Sequence, residues 1–429
     1  MLHRSSKARD SLFPLVLAFK SRFGLPPTPE PVEPLALVAP KFQNADNRQD
    51  MLDIAVCNHS TDDAASAAAQ ERGQFLARQD RWEELSAEIK HADKSRLKTP
   101  GGMPVAELLA FGARSDAVNA VEHALQTDDT DLPMTEGIQM LDEVLQDFRD
   151  DPYITLVVAL AHLDIAWAWR GTGPEGLIQK QNREVFTAHF ERARCLVQPF
   201  CFMEMSSPIL AAAECALLTG EKQSAQQIAD MYEDLIDLDP CNQRHMRALG
   251  NHMLPRWFGS YDQLELEARR TAARLQDIWG AGGYTWVYFD AIAIDERACA
   301  NVDVPFFLDG LRDIAEARPG QDMINLLSAF CTVALPAGKG LSAKADMKRD
   351  EIAEASFWLV RDYLTELHPL IWAHAADGFD NNARITSASR FAARGRADAL
   401  RVLADLFQDE IAKGMRVTFT PEGPQLQQV

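Results

Sequence analysis

The chain reads as all-α, an irregular α-solenoid of antiparallel helix pairs behind an unstructured, proline-rich N-terminal tail. Three observations predict this. Apolar residues recur at helical spacing almost everywhere after Met51. Short turns with Gly or Asp separate the periodic segments, and a short connection makes neighbouring helices antiparallel. Alternation of the strand kind is scarce, with Arg416–Thr420 the one credible strand.

Residues 1–50 come first. Residues 1–23 join a basic start to an apolar patch, Leu12 to Phe19, which imitates a signal peptide. The patch is short, holds Pro14 and runs into Lys20 and Arg22 without a small-residue cleavage site. Residues 24–40 contain Pro26, Pro27, Pro29, Pro31, Pro34 and Pro40, and such a segment stays extended because proline fixes φ and lacks an N–H. Residues 1–50 therefore read as a flexible basic tail and linker.

The main array is expected over 51–335. Ile138, Leu141, Leu145 and Phe148 fall on one helical face, as do Leu264, Ala268, Thr271, Ala272 and Leu275. Asp151-Pro152 and Asp239-Pro240 mark helix boundaries, since the residue before proline is pushed out of the helical region. Turns are expected at 78–82, Thr219-Gly220-Glu221, Trp257–Tyr261 and Ala393–Ala397. The segment from Pro208 to Ala272 is the most ordered: helix, turn, helix, break, helix, turn, helix. A loop is expected over 336–349, a helical segment over 350–415, and a short strand with a tail over 416–429. The longest apolar run, Ile154 to Trp169, is interrupted by His162 and Asp164 and falls short of the roughly 20 apolar residues of a membrane span.

The net charge is −20. A body this acidic repels phosphate backbones, so nucleic acid is not an expected partner. Seven cysteines at irregular spacing, with no C-x-x-C, read as thiols in a reducing compartment, and the cytoplasm is the expected location.

The helix pairs resemble the tetratricopeptide-repeat family across residues 60–410. The match is carried by Gly220 at a turn, Tyr232 and Leu235 on the second helix and Pro240 at its end. The following unit offers Gly259, Tyr261, Leu264 and Ala268; Trp82 with Leu85 and Ile89, and Gly395 with Leu400, Ala404 and Phe407, look like further second helices. The departures are Pro255, inside a first helix, and turn glycines at 171, 220 and 259, spaced 49 and 39 residues apart where the family repeats at roughly 34. The resemblance implies a concave face that binds a protein or peptide.

Few motifs suggest chemistry. Gly171-Thr-Gly173-Pro-Glu-Gly176 spells a dinucleotide fingerprint, but it follows a helix instead of a strand, and Pro174 removes an amide; it reads as a glycine cap and loop. His162 and Asp164, two apart on a helix, point to different faces. Asn242 to Arg256 holds Arg244, His245, Arg247, His252 and Arg256 and no acid. Met246, Leu249 and Met253 form its apolar face. The stretch reads as pairing with nearby acids (Glu233, Asp234, Asp237, Asp239) or, functionally, as a place for an anionic group or acidic tail. His368, His374, Asp377 and Asp380 gather near a helix end without the spacing of a helical zinc site. Asp128, Asp129 and Asp131 read as a solvated linker. The aromatic run from Trp279 to Phe289 reads as core.

The expected function is a non-enzymatic scaffold or adaptor binding a protein or peptide. Its groove candidates are Trp167, Arg244, His245, Asn251, His252 and Arg256, with no catalytic residue, metal or cofactor. Two rivals stand beside it: an all-α enzyme with a site near His162/Asp164 or His368/His374, and a structural accessory touching a membrane through residues 1–23. Membrane contact is not expected in the main reading.

Overall fold

The computed structural model describes residues 48–127, 135–171, 178–218, 224–377 and 387–429. The tail up to residue 47, Asp128–Asp131, the glycine motif after Gly171, Gly220 and Gly378–Asp380 lie outside the described residues. The protein is mostly helical with a few short strands, as its period predicts. Its chain divides into two compact units, one of residues 61–245 and one joining 48–60 to 246–429.

In the 61–245 unit, successive helices pack in chain order. Thr61–Arg78 lies on Val105–Thr127, which lies on Pro152–Arg170. That helix packs on Lys180–Val197, followed by Pro208–Leu217 and Ala225–Leu238. Trp82–Lys94 turns Leu85, Ile89 and Ala92 inward at spacings of four and three. Glu136–Phe148 buries Ile138, Leu141 and Leu145, the predicted face. Local signals set the ends. Asp151 accepts from the Tyr153 and Ile154 amides, with Pro152 in the first helical turn. Gly171 closes that helix at φ 67°, the left-handed region glycine enters without steric cost. Ser224 and Gln227 form a reciprocal capping box, and the helix they start stops at Asp239, before Pro240. Among the described residues only Pro152–Arg170 is long and apolar enough to cross a membrane, and most of it is buried inside the protein.

One buried polar cluster joins three helix ends. The buried Asp93 carboxylate accepts from Ser207 Oγ (2.6 Å), the Ile209 amide (3.1 Å) and Tyr153 Oη (3.3 Å). Glu214 lies in the apolar helix Pro208–Leu217, where burial pushes its carboxyl up to about 7. Its folded-state value is above its unfolded one, so its contribution is intact below about pH 4.5 and is lost as pH rises toward 7. Glu214→Gln is therefore expected to add about 1–2 kcal/mol at pH 8, after allowance for the part of the side chain left in water. It should add almost nothing at pH 4, and urea unfolding at the two pH values measures the difference.

In the other unit, Ser260 caps Tyr261–Arg274 after the predicted turn. That helix packs on Gly282–Ile294, which packs on Val304–Ala317. The aromatic run is core: Trp279, Tyr284, Trp286, Tyr288 and Phe289 are all buried. The tyrosine hydroxyls of Tyr284 and Tyr288 both donate to Glu265 Oε2, at 2.9 and 2.8 Å.

The segment after Met51 departs from the helical expectation. Leu52–Asp53 (β1) pairs parallel with Met415–Thr420 (β4), and Ala55–Val56 (β2) pairs parallel with Glu366–Leu367 (β3). Strands of two residues are too short for alternation to show in sequence. The predicted strand at 416–420 is present as β4. The expected tail after it is Gly423–Gln428 (β5), antiparallel to β4 through a turn with Gly423 at φ 103°. The expected loop at 336–349 is only partly one: Pro336–Gly338 is a 3-10 turn, and Ser342 caps a helix over Ala343–Ala353. The Gly338 and Gly340 signals mark its first half alone.

Candidate functional site

The acid-free stretch folds as the helix Gln243–His252 and the turn beyond it. The predicted apolar face holds, since Met246, Leu249 and Met253 are buried. The basic side chains are largely used inside the protein. Arg244 Nη1 donates to Glu107 Oε2 at 2.8 Å. His245 Nε2 is 3.0 Å from Asn242 Nδ2 and 4.0 Å from Asp239, which also binds Lys98 at 2.7 Å. Arg247 makes a two-pronged pair with Asp290 and lies 4.8 Å over the Phe289 ring. His252 is 1% exposed, bonds the Ala248 carbonyl at 2.9 Å and stacks on Phe258. Desolvation pushes its imidazole down to about 4 against that carbonyl, and Arg256 adds to the fall.

Of the expected acids, Asp239 meets this stretch at His245; Glu107 and Asp290 come from far along the chain. Arg244, His245 and His252 are buried, while Asn251 and Arg256 are partly exposed. Arg244 and His245 belong to the 61–245 unit, and Asn251, His252 and Arg256 to the other. Trp167, half-buried, sits edge-on to Phe186 at 5.2 Å with Arg170 over its ring.

His162 and Asp164 face different partners, as their spacing requires. Asp164 binds Arg114 at 2.8 Å. His162 Nδ1 lies 2.7 Å from His189 Nδ1, and His162 Nε2 lies 3.3 Å from Asp142 Oδ2, whose other oxygen takes Arg192 at 2.7 Å. A nitrogen–nitrogen contact of this length needs one proton between the rings, so one imidazole donates and the other accepts. Burial first, and then the charge of His162, pushes His189 down to about 4, with Asp142 opposing. Burial would raise Asp142, but hydrogen bonds from His162 and Arg192 hold it at about 2. Asp142, His162 and His189 therefore form one line of close polar contacts.

Sequence reasoning missed His189 and Asp142, although a signal existed. His162 and His189 stand 13 and 14 residues either side of position 175, the middle of the connection between two helices. Positions equidistant from the turn of an antiparallel pair face each other.

His368 and His374 also take different surroundings. His368 Nδ1 lies 2.7 Å from Asp322 and Nε2 lies 3.0 Å from Glu366. Burial lowers its affinity for a proton, but these two carboxylates outweigh that and raise it. His374 is buried edge-on to Phe391 at 4.8 Å.

No protein family matches any part of the chain, and neither a curated protein nor a solved structure is similar to it.

Proposed function

We propose that the protein is a helical scaffold of the tetratricopeptide-like, α-solenoid kind, and that its 61–245 unit binds a basic segment of another protein. The observation that carries this reading is the chain-order packing of successive helices in that unit. Such arrays cover their internal faces against neighbours and leave an extended outer surface for a partner.

Charge supports the choice of partner. Residues 61–245 hold 32 Asp/Glu against 16 Lys/Arg, so most of the chain's −20 lies there. Glu136, Met140, Glu143 and Asp147 are exposed on the outer face of the helix Glu136–Phe148, with Met140 at 67%. An adaptable thioether among carboxylates suits a peptide that mixes Lys or Arg with a large apolar side chain. Trp167 keeps partial exposure and remains a candidate for partner contact; Arg256 belongs to the other unit and its positive charge does not suit a basic segment, while the burial of Arg244, His245 and His252 makes them supports of the helix Gln243–His252.

Selection of displayed random peptides on the full chain tests the reading. Enrichment of Lys/Arg with an apolar neighbour is expected, with binding that weakens as salt rises. Glu143→Lys/Asp147→Lys should remove that enrichment. Selected peptides without a basic bias, or equal recovery by the charge-reversed variant, would overturn it.

A further inference from the structure

We propose that Cys57, Glu366 and His368 bind one divalent transition-metal ion of the zinc class. All three residues belong to the unit of 48–60 and 246–429, and the proposal does not depend on the partner-binding reading. Parallel pairing of β2 and β3 opposes Ala55 to Glu366 and Val56 to Leu367, and the Cys57 amide extends the ladder by donating to the Leu367 carbonyl at 2.8 Å. That register brings the Cys57 sulfur, a Glu366 oxygen and a His368 ring nitrogen within 4.8 Å of one another. Bond lengths of roughly 2.0–2.3 Å set the edges of a zinc tetrahedron at about 3.3–3.7 Å. The Glu366–His368 contact is already 3.0 Å, so side-chain adjustment alone would close the set.

The donor chemistry is specific. One thiolate, one imidazole and one carboxylate suit a borderline-soft ion better than magnesium or calcium. Glu366 lies on the Nε2 edge of His368, and Asp322 Oδ1 lies 2.7 Å from Nδ1. A carboxylate on the far nitrogen is the usual support of a metal-bound histidine, because it fixes the ring and its tautomer. The floor is rigid. Asn325 holds the Glu366 carbonyl and the His368 amide, and Gln321 Oε1 accepts from the Thr365 and Glu366 amides. Cys57 and Glu366 are only half-buried, so an ion can enter and a water can take the fourth position. On binding, the thiol proton and any Nε2 proton pass to solvent, so affinity rises with pH.

The test titrates metal-stripped full-length protein with Zn²⁺ and with Co²⁺. One ion per chain is expected, and Co²⁺ should give a sulfur-to-metal charge-transfer band in the near ultraviolet. Cys57→Ala should abolish the band, while Cys201→Ala, at an exposed thiol of the 61–245 unit, should keep it. Asp322→Asn should keep the band but weaken binding by about 10–100-fold. Circular dichroism checks that each variant folds. Absence of stoichiometric binding, or a band that survives Cys57→Ala, would overturn the proposal.

Discussion

Asn325→Leu is expected to destabilise its unit by roughly 3–6 kcal/mol, measured by urea unfolding at neutral pH. Asn325 is 0% exposed and uses its whole hydrogen-bonding capacity. Its Nδ2 donates to the carbonyls of Gln321 and Glu366, each at 2.9 Å. Its Oδ1 accepts from the His368 amide at 3.0 Å and from Trp372 Nε1 at 2.8 Å. Leucine keeps the volume and abandons the Glu366 carbonyl, the His368 amide and the Trp372 indole. Each buried orphan costs about 1–3 kcal/mol, and part of that is offset by burying a more apolar side chain. A loss below about 1 kcal/mol would mean that water reaches these groups, contrary to the burial.

The second large effect is steric. Gly73 and Gly112 sit where the helices Thr61–Arg78 and Val105–Thr127 come closest. A Cβ on Gly73 would lie 2.0 Å from the Leu109 carbonyl oxygen, and one on Gly112 would lie 1.9 Å from that of Gln70. Both obstacles are backbone, so no rotamer change relieves them. Either Gly→Ala should cost about 3 kcal/mol, even though alanine favours a helix over glycine by about 1 kcal/mol. The sign of the result is therefore diagnostic. The double variant should cost clearly less than the sum, because one methyl group already parts the two backbones. Additive losses would mean that the two glycines act at independent contacts.

Much of the local fold was legible. Ile138, Leu141 and Leu145 declared the buried face of their helix by spacing alone. Asp151-Pro152, Asp239-Pro240 and Gly171 declared ends, since caps act within one turn of the chain. The acid-free stretch from 242 to 256 stood out too, but its meaning did not. Its main partners, Glu107 and Asp290, have no sequence relation to Arg244 and Arg247. His162 lies between the two cases. His189 could have been found from hairpin symmetry, whereas Asp142 arrives from a separate helix.

The sequence by itself determined the helical character, several helix ends and the acidity of residues 61–245. These follow from interactions between residues three or four apart, and from composition. Its expected turn at Ala393–Ala397 is instead the interior of the helix Ala388–Leu406. Only the tertiary structure decided that Cys57 meets Glu366 and His368, and that Asn325 holds the backbone of Glu366 and His368. A parallel pairing between two-residue strands leaves no periodic trace, and the long chain between them carries no spacing rule. Where distant backbones align is set by the packing of everything in between.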